Sequence, residues 1–110
     1  MKINGKKVEK TFSTSKDETF KKCLKAIHQL QYTIISSDVE AGILSFKTNF
    51  GHLNVSTNGD YLYRCSIVNI GDDYSKCIIW CEECLDQTIP LFEVLFNRSC
   101  KYSNKVLELM

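Results

Sequence analysis

Proline and clustered glycine are nearly absent from this sequence of 110 residues, which contains one proline, Pro90, and five glycines that stand apart from one another. The scattered glycines exclude a phosphate-binding glycine loop, and the single proline excludes a proline-rich linker. No apolar run approaches the roughly 18 residues that a membrane-spanning helix needs. Because the first residues also lack the apolar stretch of a signal peptide, we expect a cytoplasmic chain without a membrane segment.

Net charge of either sign is also small, at +1 for the whole chain. Binding to nucleic acid depends largely on neutralising phosphates, so this balance argues against a nucleic-acid partner. The charge is distributed unevenly, because residues 1–25 hold eight lysines against three acids, whereas residues 26–110 have a net charge of −4. Such polarity fits either two solvated surfaces or an oriented docking surface for a charged partner.

Apolar and charged residues, in contrast, are present in ordinary amounts, 44% and 25% of the chain. This composition and length predict one globular domain over residues 1–110. The six cysteines allow three disulfides in a secreted protein. In a reducing cytosol they would instead be free thiols that act as small buried hydrophobes.

Local patterns predict an α+β fold with the order β-α-β-β-β-β-α. Ser15 and Glu18 form a capping box ahead of an amphipathic helix at 16–31. Alternating, β-branched or aromatic residues predict strands at 8–13, 32–36, 43–47, 61–70 and 74–81. After about residue 88 the apolar period becomes helical again. Two helices on one face of an antiparallel sheet would bury both apolar stripes.

Two connections stay open at this level. Residues 50–55 fit either a short strand or a loop, and Asn58-Gly59 predicts a hairpin turn, since both residues tolerate positive φ. The turn at residues 71–73 leaves open the register of the hairpin formed by residues 61–81.

Residues 8–48 resemble the opening of helix-grip or TATA-binding-protein-like β-α-β-β modules, as found in small bacterial lipoprotein domains. The resemblance is carried by the stretches FSTSKDETF at 12–20, YTII at 32–35 and EAGILSF at 40–46, with Ala26-Ile27 between the first two. It implies a module that holds a ligand or docks a protein rather than an enzyme. It transfers no functional residue to this chain.

The segment Trp80-Cys81-Glu82-Glu83-Cys84 has the strongest chemical signal, because a C-x-x-C pair can bind a metal or cycle between dithiol and disulfide. Its late position argues against a thioredoxin-like role, and the two glutamates disfavour thiolates. A structural zinc site at Cys81 and Cys84, or one completed by other donors, stays an alternative to buried thiols. The other candidate donors are His52, Cys65, Cys77 and Cys100.

No catalytic motif occurs, so the sequence favours a non-enzymatic protein-interaction module without a cofactor, such as an adaptor, an inhibitor or an immunity-type partner. Its protein partner and oligomeric state are left open. The alternative is a binder of a small hydrophobic ligand, with a pocket between the sheet and the helices. The candidate lining residues are Tyr61, Tyr63, Phe92 and Phe96. A stacking face for single-stranded nucleic acid is also conceivable, formed by Tyr61, Tyr63 and Arg64 with Phe46 and Lys47.

Overall fold

The computed structural model describes residues 7–48, 61–84 and 102–110, with only the backbone at 83 and 84. The elements are β1 (Val8–Phe12), α1 (Lys16–Gln29), β2 (Thr33–Asp38), β3 (Ile43–Lys47), β4 (Tyr61–Gly71), β5 (Tyr74–Cys84) and the helical residues 102–109, here called α2. This order confirms the predicted α+β arrangement. The possible strand at 50–55, the Asn58-Gly59 turn and the start of the second helix lie outside the described residues.

All five strands form one antiparallel sheet with the order β1-β5-β4-β3-β2. β1 therefore lies at one edge beside the last strand, β5, and the connection through α1 leads to β2 at the opposite edge. Strands β2 to β5 then follow one another as a meander. Residues two apart on a strand share a face, and one face of β4 and β5 is almost entirely buried. We call this buried face the inner face.

The register of the β4–β5 hairpin, which the sequence left open, places Cys65 opposite Ile79 and Ile67 opposite Cys77. Near the far end Leu62 pairs with Glu83 and Tyr63 with Cys81, so Glu82 is an extra residue that forms a bulge. Strand β5 extends to Cys84, three residues beyond the predicted end, because β4 continues to pair with it.

Helix α1 begins as the capping box predicts. The Ser15 hydroxyl accepts a hydrogen bond from the Glu18 backbone N–H at 3.3 Å, which satisfies one of the free donors of the first turn. The predicted amphipathic faces are also present. The apolar face is buried at Phe20, Cys23, Ala26 and Ile27, whereas the lysines at 21, 22 and 25 are exposed.

Two residues earlier than predicted, α1 ends in a Schellman motif. The Tyr32 N–H donates to the Ile27 carbonyl at 3.1 Å, and the Gln31 N–H donates to the His28 carbonyl at 3.0 Å. Gln31 occupies the left-handed position that usually holds glycine, with φ of 61°. The helix therefore stops at Gln29 because the chain reverses its backbone twist at Gln31.

Replacing Gln31 with glycine is expected to raise the free energy of unfolding by about 0.5–1 kcal/mol, because glycine adopts positive φ without the Cβ penalty. The same change at Gln29, within the helix, is expected to lower it by about 0.5–1 kcal/mol. Urea unfolding of both variants measures the two effects. Equal destabilisation by both substitutions would contradict the role assigned to Gln31.

Both helices lie on the inner face of the sheet. Helix α1 packs on β4 and β5, and α2 contributes buried Val106 and Leu107 to the same core. The Lys10 ammonium on β1 donates to the Leu107 carbonyl at 3.4 Å, so a cation satisfies a carbonyl in the last turn of α2. Within the described residues, no helix is long and apolar enough to cross a membrane.

Candidate functional site

Two groups of side chains share the inner face, one toward each end of β4. Tyr61 and Tyr63 lie at the start of β4, and Cys65 and Ile67 follow on the same face. The first group, which we call the aromatic end, consists of Tyr32, Phe46, Tyr61, Tyr63 and Tyr102. The second, which we call the thiol cluster, consists of Cys23, Cys65 and Cys77.

The aromatic end is a continuous row of rings that crosses the sheet from β2 toward α2. Phe46 stacks between Tyr32 and Tyr63, with ring centres 5.9 and 5.1 Å away and planes within 8° of parallel. Tyr61 meets Tyr63 edge-on at 6.3 Å. Sheet register explains the stack, because Phe46 and Tyr63 are cross-strand partners on neighbouring strands.

Tyr102 of α2 forms the rim of the aromatic end. Its ring lies 5.9 Å from that of Tyr61, yet it is only half-buried. The exposed Lys105 holds its ammonium 5.7 Å from the Tyr102 ring centre, one helical turn away. The rim therefore combines an accessible aromatic surface with a positive charge.

Phenol hydroxyls bring polar groups into this apolar region. Burial raises the pKa of Tyr32 to about 12 and raises that of Tyr63 further. The cause is the same at both positions, since a buried phenolate would lose its hydration. These hydroxyls therefore stay protonated near pH 7, and they can donate or accept hydrogen bonds without carrying charge.

The thiol cluster assembles from three elements. Cys65 on β4 and Cys77 on β5 are diagonal neighbours on the inner face, since each lies opposite a residue two positions from the other. Cys23 comes down from the buried stripe of α1. All three are fully buried, with 0% exposure.

The sulfur of Cys65 contacts the sulfurs of both other cysteines. The Sγ of Cys65 lies 3.5 Å from that of Cys23 and 3.2 Å from that of Cys77, and all three fall within 4.8 Å of one another. Hydrogen bonds from Cys65 and Cys77 lower the pKa of Cys23 to about 5, against the opposing effect of burial. Hydrogen bonding to Cys23 and burial raise the pKa of Cys65 and Cys77.

A buried hydroxyl chain adjoins the thiols. Thr19, one helical turn before Cys23, shares a hydrogen bond of 2.5 Å with Ser75, which precedes Cys77 on the same face of β5. The Thr19 hydroxyl also lies 2.7 Å from that of Thr14. These bonds tie α1 to β5 beside the cluster and satisfy polar groups that would otherwise be costly to bury.

The structure brings together only some of the predicted site residues. Tyr61 and Tyr63 meet at the aromatic end, while Phe92 and Phe96 lie outside the described residues. Because Tyr61, Tyr63 and Phe46 are buried, they do not form an open stacking face for nucleic acid.

The C-x-x-C segment lies within strand β5 and not at the turn from a strand to a helix. Cys81 is buried on the inner face, and Trp80 precedes it on the outer face, where the Lys7 ammonium lies 4.9 Å from its ring centre. Cys84 pairs with Tyr61 across the hairpin, but the structure describes only its backbone. A metal site at Cys81 and Cys84 therefore stays a prediction.

The sequence analysis named Cys65 and Cys77 as possible metal ligands. It grouped them with His52 and Cys100, which lie outside the described residues. It missed Cys23, which completes the observed cluster. The available signal was the buried face of each element, because all three cysteines alternate or recur with apolar neighbours. That signal shows which face of an element a side chain lies on. It does not show at which position along the sheet the side chains of two elements meet.

Exposed apolar side chains gather at the tip of the β4–β5 hairpin. The pairing of β3 ends at Ser66 and that of β1 ends at Ser75, so the hairpin projects beyond both neighbours. Ile70 and Tyr74 at the tip are 49% and 51% exposed, and Val68 is 38% exposed. Apolar side chains grouped in this way are typical of a surface that contacts another molecule.

No protein-family model matches the chain, and no curated protein matches it significantly in sequence. Among solved structures, the fold is similar to the crystal structure of Ara h 8.0201, with a TM-score of 0.65 and 10% identity over 94% of this chain and 92% of that one. The protein TTHA0849 from Thermus thermophilus has a TM-score of 0.45 and 8% identity over 94% and 91% of the two chains, too low to support an argument. The first likeness extends over nearly the whole of both chains and concerns the fold alone.

Proposed function

We propose that this chain is a non-catalytic binding module that holds an apolar small molecule at the aromatic end of the inner face. The observation that carries the proposal is the row of rings from Tyr32 to Tyr102, which is buried from Tyr32 to Tyr61 and half-exposed at Tyr102. Ligand sites are typically concave, aromatic regions with a few placed polar groups. Here the neutral phenol hydroxyls supply those polar groups.

The rim favours a ligand with an anionic end. Lys105 places a positive charge over Tyr102, at the point where the aromatic surface meets solvent. An apolar ligand body would extend inward from Tyr102 along the rings, and its charged group would stay beside Lys105. The proposal includes no catalysis, because the hydroxyls of Tyr32 and Tyr63 stay neutral near pH 7 and do not act as bases.

The test uses 8-anilinonaphthalene-1-sulfonate, a fluorescent apolar anion, as the probe. We expect saturable binding with one site per chain, and we expect Tyr102→Ala to weaken it at least about tenfold, equivalent to about 1.4 kcal/mol. Because Tyr102 is half-exposed, its removal should lower the urea unfolding midpoint but leave the chain folded.

Tyr74→Ala is the matched control, since Tyr74 is the exposed tyrosine of the hairpin tip, away from the rings. It is expected to bind the probe as the wild type does. An unchanged near-ultraviolet circular dichroism spectrum distinguishes binding to the folded chain from binding to a loosened state. Equal loss of affinity in both variants, or no saturable binding, would refute the proposal.

A protein-docking role, which the sequence favoured, is the second candidate. The specific observation in its favour is the exposed apolar tip of the β4–β5 hairpin, with Val68, Ile70 and Tyr74. The same titration separates the two candidates. Probe binding that is lost in Tyr74→Ala and kept in Tyr102→Ala would move the binding surface to the hairpin and favour docking.

A further inference from the structure

The thiol cluster takes no part in the proposed ligand site, and its composition suits a different ligand. Three thiols from α1, β4 and β5 converge in the core, with Sγ–Sγ distances of 3.5 and 3.2 Å for the pairs that include Cys65. Among the side chains that the structure describes, no fourth cysteine, histidine or carboxylate joins them. Thiolate sulfur is a soft ligand that selects soft ions.

We propose that Cys23, Cys65 and Cys77 form a three-sulfur site for trivalent arsenic, taken up as arsenous acid. Three arguments favour this trivalent ion over divalent and monovalent thiophilic ions. They concern the number of ligands, the charge of the complex and the spacing of the sulfurs.

The number of ligands argues against zinc. Structural zinc sites are almost always tetrahedral, with four protein ligands, whereas this cluster offers three among the described side chains. Trivalent arsenic carries a lone pair and is satisfied by three ligands. The three converging thiols therefore match its full coordination.

The charge of the complex gives the second argument. The site is fully buried, and an uncompensated charge in such a place is costly. Three thiolates around a divalent or monovalent ion leave net negative charge, whereas three thiolates around As³⁺ form a neutral complex.

The spacing of the sulfurs gives the third argument. With bonds of about 2.3 Å, three sulfurs in a plane around an ion would lie about 4.0 Å apart. The two Cys65 distances are shorter, 3.5 and 3.2 Å. An ion above the plane of the sulfurs lets them stay closer together, and trivalent arsenic adopts this pyramidal arrangement.

The binding step is balanced without an oxidant or a reductant. Three As–O bonds of arsenous acid break and three As–S bonds form. Each thiol proton leaves with one hydroxide, so three waters are released and arsenic remains trivalent. Because the thiols are buried, entry requires a local opening of α1 from the sheet, and we expect slow association.

The experiment incubates the whole chain, in reduced form, with arsenite and measures binding by native mass spectrometry and X-ray absorption. We expect one arsenic per chain, a mass gain equal to arsenic minus three hydrogens, and three sulfur neighbours. Cys23→Ala and Cys77→Ala should each weaken binding at least tenfold, because two As–S bonds remain. A variant in which Cys81, Cys84 and Cys100 are all alanine should bind as the wild type does.

Several results would overturn the proposal. These are retention of full affinity in Cys23→Ala, loss of affinity in the variant without Cys81, Cys84 and Cys100, or oxygen neighbours in the absorption spectrum of the wild-type complex. Preferential uptake of Zn²⁺ or Cu⁺ in direct competition would assign the site to another ion. If Cys23→Ala or Cys77→Ala fails to fold, the variant without Cys81, Cys84 and Cys100 still decides the matter, because one arsenic with three sulfur neighbours in that chain must be bound by Cys23, Cys65 and Cys77.

Discussion

Replacing Gly42 with alanine is expected to lower the free energy of unfolding by about 3 kcal/mol. Gly42 lies in the turn between β2 and β3 with φ of 71°, a conformation that costs a residue with a side chain about 1–2 kcal/mol. A Cβ at this position would also collide with the Ile67 carbonyl of β4 and with the Lys16 side chain.

The collision with Ile67 cannot be relieved cheaply. The Ile67 N–H donates to the Gly42 carbonyl at 2.7 Å, and Ile67 is held in the sheet opposite Cys77. Moving either backbone would break this bond beside the buried core. The Lys16 atom in the way, in contrast, is near the flexible end of that side chain and can move aside.

Gly71→Ala is the matched control for Gly42→Ala. Gly71 does not have the positive φ of Gly42, and a Cβ there would meet only Tyr74 atoms at 3.9 Å, an ordinary contact. We expect an effect within about 0.5 kcal/mol. Urea unfolding measures both variants, and a Gly42→Ala chain as stable as the Gly71→Ala chain would contradict the structure of this turn.

Alkaline pH is expected to destabilise the chain strongly through its buried tyrosines. In the unfolded state a phenol ionises near pH 10, whereas burial holds the pKa of Tyr32 at about 12 and that of Tyr63 higher. A pKa raised by folding contributes stability that is complete below the unfolded value and is lost as pH rises through the folded value. Stability should therefore fall between pH 10 and 12.

The expected loss is about 2 kcal/mol from Tyr32 by pH 12, since one pKa unit corresponds to about 1.4 kcal/mol and the loss is complete only above the folded pKa. Tyr63, which is fully buried, should add at least as much. The measurement compares urea unfolding at pH 8 and pH 11.5 in the presence of a reductant.

The variant with Tyr32→Phe and Tyr63→Phe should lose much less stability than the wild type over this interval. All other titratable groups are the same in both chains, so the difference between the chains isolates the two phenols. Tyr74→Phe, at an exposed position, serves as the control and should follow the wild type. An equal pH dependence in the double variant would show that the buried rings do not carry this effect.

Local sequence signals predicted most of the fold. The capping box located the start of α1, and alternation located the strands to within a few residues, because both signals depend on neighbours in the chain. The end of α1 was misplaced by two residues, since Gln31 occupies a position that normally calls for glycine. The resemblance to helix-grip modules stays a prediction.

The candidate site was less predictable because it depends on contacts between distant elements. Tyr61 and Tyr63 were recognised as aromatic strand residues, but their stack with Phe46 depends on the β3–β4 register. Cys23 and Cys65 are 42 residues apart and meet only because α1 crosses β4 at that level. Apolar periodicity shows which side of an element is buried, not which residues of two elements face each other.

The measurement that tests the proposed binding site most directly is a nuclear magnetic resonance titration of the aromatic side chains with 8-anilinonaphthalene-1-sulfonate. The proposal predicts saturable shifts for Tyr61, Tyr63 and Tyr102, the rings nearest the rim, with Tyr74 unchanged. Shifts confined to Tyr74 and its neighbours on the hairpin would place binding on the outside of the sheet and contradict it.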